Sequence, residues 1–145
     1  MLENINKDKL LFIDIETAGS YKDSYKLKEM DPTLWSLWDE IGCSYFRRHY
    51  PEDSEKDCDF LYKKYSALLP EFGKIVCISV GFISGGEEKI QSFCTGNEKE
   101  DLTQVSLLLN KIKGLDFTLC GHNIKNFDLP FLGKRMLINN INPPT

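Results

Sequence analysis

Apolar positions along the 145-residue chain follow two periods, one near two residues and one near three to four. Residues 10–16, LLFIDIE, follow the shorter period. Leu11, Ile13 and Ile15 fall on one side of a predicted strand and Phe12, Asp14 and Glu16 on the other, because strand side chains alternate. Apolar residues on both sides predict a central strand covered on both faces, and the two acids at its end stand out there. Residues 74–84, KIVCISVGFIS, form the strongest strand pattern. Gly85-Gly86 predicts a tight turn, with residues 89–94 returning antiparallel. Residues 116–120 read as another short strand.

The longer period marks helices. Asp31-Pro32 pairs an N-cap with a proline at the first helical position. Leu34, Trp35, Leu37, Trp38 and Ile41 then recur at helical spacing, and Gly42 predicts the stop. Residues 54–69 predict a second helix, with Leu61, Tyr65, Leu68 and Leu69 on one face. The intervening 45–51 read as a loop or frayed helix end. Asn97 with Glu100 three residues on predicts another helix start, with Leu102, Val105, Leu108, Leu109 and Ile112 as its stripe and Gly114 as its end. A last helix is predicted over 129–139. Strand, helical stretch, hairpin, helix, strand, helix is the order of an α/β fold whose sheet is not purely parallel.

Composition narrows the classes. The 41% hydrophobic and 28% charged residues exclude wholesale disorder, and 145 residues suit one domain. A net charge of −4 excludes a generally basic nucleic-acid coat but leaves room for a local basic groove. The five cysteines include no CxxC, and Cys77 and Cys120 lie in apolar strand-like runs, so the set reads as reduced, buried thiols of a cytoplasmic protein. Cys43, His49 and Cys58 match no common zinc spacing. The polar start MLENINKDK is no signal peptide, and no apolar run approaches the ~20 residues of a membrane span.

Two segments carry chemistry. Asp14 and Glu16, at i and i+2 on a strand, point the same way, close enough to share a divalent cation. A solvated strand end paired with lysine is the plainer reading. Residues 121–128, GHNIKNFD, follow a strand and open a helix, at the strand ends where α/β sheets gather ligands. Asp128 alone reads as a helix N-cap, and His122 and Asn123 as caps of loop backbone.

Taken together, LFIDIETAG and the downstream CGHNIKNFDLPFL resemble the first two motifs of the DEDD-type 3'–5' exonucleases. EFGKIVCISVGF resembles the branch related to the proofreading domain of family B DNA polymerases. The resemblance covers most of the chain except roughly residues 20–65. It implies a ribonuclease H-like mixed sheet with flanking helices, carrying a helical insertion at about 21–70. It also implies metal-dependent hydrolysis at single-stranded nucleic-acid 3' ends, with DNA favoured. Asp14, Glu16 and Asp128 would be the catalytic carboxylates holding two Mg²⁺ or Mn²⁺ ions. Thr17, Ala18, His122, Asn123 and Phe127 would contact the terminal nucleotide or pack beneath it. Lys125, Lys134, Arg135 and the Arg47-Arg48 pair would follow the strand.

The family also has a third motif, a carboxylate preceded by Tyr or His, which these 145 residues do not contain. The chain is therefore read as the C-terminally truncated, N-terminal portion of such a domain. Low activity by itself is expected, as is association with a second copy or with the missing C-terminal portion. A catalytically inactive nucleic-acid-binding or interaction module, or an RNA exonuclease of the same fold, are the alternatives.

Overall fold

A computed structural model of the protein describes residues 5–144. The first four residues of the polar N-terminal stretch, and Thr145, lie outside the described residues. The fold is α/β, with a four-stranded mixed sheet and flanking helices. Its strands are β1 (Leu10–Gly19), β2 (Gly73–Ser84), β3 (Glu87–Phe93) and β4 (Thr118–Cys120). The helices are α1 (Ser24–Met30), α2 (Pro32–Leu37), α3 (Cys43–His49), α4 (Cys58–Tyr65), α5 (Glu98–Ile112) and α6 (Asp128–Ile138). The chain divides into two compact units: Met1–Glu16 with Ile75–Thr145, and Thr17–Lys74.

In the first unit the sheet order is β3-β2-β1-β4. β1 pairs parallel with β4, Phe12 opposite Cys120, and β2 pairs antiparallel with β3 through a turn whose Gly85 and Gly86 have φ of 65° and 79°. Both values lie where a side chain is disfavoured, so the glycine pair fixes the hairpin. Leu11, Ile13 and Ile15 of β1 bury against Leu102 and Val105 of α5 and Phe131, Leu132 and Met136 of α6. The opposite face differs from expectation. Phe12 is 42% exposed and Ile90 80%, so among the described residues β1 is covered on one face only. β4 is also shorter than predicted, because Asp116 has φ 58°, incompatible with a strand.

Asn97 caps α5 as expected, its side chain accepting the Glu100 N–H at 3.3 Å. The glutamate that ties α5 to its neighbours is Glu98. Its carboxylate accepts the Ile75 N–H at 2.7 Å, Arg135 Nε at 2.8 Å and Asn139 Nδ2 at 3.2 Å. Arg135 is 8% exposed, so it is committed to this ion pair and not to a passing strand.

The second unit is helical. Asp31 caps α2 through the Leu34 N–H, as its Asp-Pro step predicts. Gly42, however, does not stop the helix. Trp38–Gly42 forms one wide π turn and the helix continues as α3 through His49, so of the two readings of 45–51, loop or helix end, the segment is mostly the end of a helix. A Cβ at Gly42 would meet the Trp38 ring at 2.5 Å, so this glycine makes room for a fully buried tryptophan. The wide turn shifts the apolar stripe: Trp38 is buried while Leu37 and Ile41 face solvent. Trp38 packs edge-on against Tyr62 and Phe72, both centroids at 5.0 Å, and its indole N–H donates to the Cys58 carbonyl.

The helix predicted over 54–69 begins at Cys58, because Asp57 caps it through the Phe60 N–H at 2.7 Å. Cys43 and Cys58 form a disulfide, which overturns their reading as reduced thiols. Sequence spacing alone could not show it, since the pairing requires α3 to fold back beside the start of α4. In the same unit the buried Asp53 carboxylate accepts from the Tyr65 hydroxyl at 2.6 Å and pairs with Lys64. Those partners hold Asp53 below the ordinary aspartate range, and Asp53 in turn raises Lys64 to about 12. Among the described residues no helix is long and apolar enough to cross a membrane.

Candidate functional site

Strand alternation turns Leu11, Ile13 and Ile15 into the core, which forces Asp14 and Glu16 outward together. Both acids are exposed on the face that also presents Phe12. A depression of about 280 Å³ opens there, bounded by Phe12, Asp14, Gly81, Ile90, Cys120 and His122. Gly81 forms its floor beside Phe12, since a Cβ there would stand 3.6 Å from Phe12 Cβ.

The loop after β4 reaches the same strand. Gly121 approaches β1 so closely that a Cβ would lie 2.6 Å from the Ile13 carbonyl oxygen. His122 and Asn123 are exposed, and Asn123 takes φ 50°, which turns the chain back toward the sheet. Its carbonyl accepts the Asn126 and Phe127 N–H groups at 2.9 and 3.1 Å, and its side-chain oxygen accepts from Asn126 Nδ2. Ile124 then plugs into the core. This folded loop delivers Asp128, 4% exposed, to β1, where its Oδ1 accepts the Ile15 N–H at 3.1 Å across 113 residues of sequence.

That contact settles what Asp128 does locally. It is not the N-cap of α6, a position held by Phe127 with no side-chain cap. Its carboxylate instead meets the backbone midway between Asp14 and Glu16. Phe127 is half-buried and packs against Phe131 at 5.5 Å, a core role beneath the loop.

Thr17 and Ala18 belong to the second unit, where the Thr17 hydroxyl donates to the Ala67 carbonyl at 2.8 Å. Lys125 is exposed on the loop. Arg47 is engaged by the Lys56 carbonyl at 3.0 Å, so its guanidinium staples a loop of the helical unit. In the first unit, burial tends to raise the Glu98 carboxyl, but Arg135, the Ile75 amide and Asn139 outweigh it and hold it below the ordinary range.

Two site residues carried no role in the sequence reading. Phe12 shares the phase of the acids, which signals a shared face once one side of the sheet is open. Gly121 directly follows a strand, a place where glycine signals close backbone approach.

The donor set is all oxygen, which suits a hard divalent cation such as Mg²⁺, commonly held by one or two carboxylates with waters completing the shell. Asp14 and Glu16 fit that requirement. Among the described residues no three His, Cys, Asp or Glu side chains gather into a metal-holding group. Comparison of the chain with known protein families, curated proteins and solved structures finds no match.

Proposed function

We propose that the first unit is a ribonuclease H-like nuclease module that hydrolyses phosphodiester bonds at single-stranded DNA 3' ends with divalent metal. The observation that carries this reading is the Ile15 N–H to Asp128 Oδ1 hydrogen bond. It brings the carboxylate of the second motif to the strand that bears both acids of the first. A chain that used Asp128 only to start α6 would have no reason to place it there.

In this reading Asp14 and Glu16 would hold the cation on the open face, and its binding would draw in the second oxygen of Asp128, which does not gather with them beforehand. A cation held there would supply positive charge for a leaving 3'-oxygen and would acidify a bound water. Phe12 offers a ring beside Asp14 on which a terminal base can stack, a contact typically worth about 1–3 kcal/mol per base. His122, at the rim, and the exposed Asn123 that follows it can donate to the sugar or phosphate. Asp128 positions the strand through Ile15, so that the two acids keep their spacing when the cation binds.

Calorimetric titration with Mn²⁺ and a gel assay on 5'-labelled single-stranded DNA test this together. The 145-residue chain should bind Mn²⁺ weakly, and Asp14→Ala should abolish binding. Degradation by this chain should be slow and should require the added metal. Whatever laddering occurs should vanish in Asp14→Ala. Single-strand binding that ignores both Mn²⁺ and Asp14 would establish a binding module instead. Preferential laddering of RNA would move the substrate assignment, not the chemistry.

A further inference from the structure

Beyond the Cys43–Cys58 bridge, the structure leaves Cys77, Cys94 and Cys120 as free thiols. Two of these meet. The β2–β3 ladder pairs Ser79 with Ser92 and Ile78 with Phe93 at its open end, away from the glycine turn. One further step along an antiparallel pair sets Cys77 opposite Cys94. Period two also puts them on the face of the two serines, whose hydroxyls lie 2.9 Å apart, and Cys77 Sγ is 3.8 Å from Ser79 Oγ. Directly opposed residues in such a ladder have Cα atoms ~4.5–5.5 Å apart, inside the ~4.4–6.8 Å that a disulfide spans.

The two thiols already interact. Cys94 is exposed and Cys77 half-buried. The Cys94 thiol is pushed up, first by the charge a Cys77 thiolate would place beside it, then by desolvation and by a hydrogen bond between the two thiols, with Asp101 adding to the effect.

We propose that Cys77 and Cys94 form a redox-active pair that closes to a cross-strand disulfide when the protein meets a low-molecular-weight disulfide. The exposed Cys94, as thiolate, attacks one sulfur of the external disulfide and expels one thiolate. Cys77, as thiolate, then attacks Cys94 Sγ of the mixed disulfide and expels the second. The two protein thiols together lose two electrons and two protons, and the external disulfide leaves as two thiols. The bridge pins the open end of the hairpin on the face that carries Asp14, Glu16 and Phe12. Cys120, on β4 beside Phe12, takes no part.

The test uses the 145-residue protein with its Cys43–Cys58 bridge intact, incubated with oxidised glutathione. Thiols are counted with a chromogenic disulfide, and linked peptides are mapped by mass spectrometry. The free-thiol count should fall from three to one, with a Cys77–Cys94 peptide and no retained glutathione. In Cys120→Ser it should fall from two to zero. Cys77→Ser should trap glutathione on Cys94. Three thiols persisting in the folded wild-type protein, a stable glutathione adduct on Cys94 with Cys77 free, or a bridge to Cys120 would each overturn the assignment.

Discussion

Asp128 shows how one atom separates structure from chemistry. Its Oδ1 satisfies the Ile15 N–H, and its charge is what the proposed cation would need. Asp128→Asn keeps an acceptor oxygen, so the urea midpoint should stay near wild type while Mn²⁺ affinity falls. Asp128→Leu strands a backbone donor in the interior and should cost about 1–3 kcal/mol. Equal Mn²⁺ affinity in the asparagine variant would reduce Asp128 to a brace. Gly121 tests the same junction sterically. The atom that an added Cβ would meet is backbone, the Ile13 carbonyl, which cannot swing aside. Gly121→Ala should therefore destabilise by about 1–3 kcal/mol, measured by chemical denaturation. An unchanged midpoint would show that the loop is free to retreat from β1.

At the scale of elements, the helical unit depends on a bridge between the first residues of α3 and α4. The Cys43–Cys58 disulfide closes a loop of 15 residues, a length for which chain entropy gives about 3 kcal/mol of stabilisation. Cys43→Ala with Cys58→Ala should lose about that much, and reductant should shift wild type toward the double variant in a thermal melt. Insensitivity to reductant would mean that the Trp38, Phe46, Tyr62 and Phe72 cluster holds the helices unaided. The predicted stop at Gly42 failed, and with it the loop alternative for the residues after it, for one cause. Glycine reads as an ending by local propensity, yet here it is required by the Trp38 indole packed across the helix turn. Local spacing registers the residue but not what lies over it.

For the whole molecule, both units carry a buried or half-buried acid held below its ordinary pKa: Asp53 by Lys64 and Tyr65, and Glu98, against the pull of burial, by Arg135. A carboxyl with a depressed folded pKa contributes stability that is complete above its unfolded pKa, near 3.8 for Asp53 and 4.5 for Glu98. That contribution is lost as pH falls through the folded value. Urea midpoints should thus hold between pH 7 and 5 and drop below about pH 4.5, with a shallower drop in Glu98→Gln. A drop of the same depth in that variant would assign the acid sensitivity elsewhere. The hairpin, the caps at Asp31 and Asn97, the helices α5 and α6 and the shared face of Asp14 and Glu16 were legible in the sequence, because each follows from periodicity or a capping side chain within a few residues. What only the tertiary structure decided involves partners distant in sequence. The Cys43–Cys58 bridge, the Glu98–Arg135 pair and the seat of Asp128 on Ile15 each join segments whose proximity is created by packing. The open face around Phe12 has the same origin: alternation states which side chains point together, while their cover depends on what the rest of the chain brings to that side.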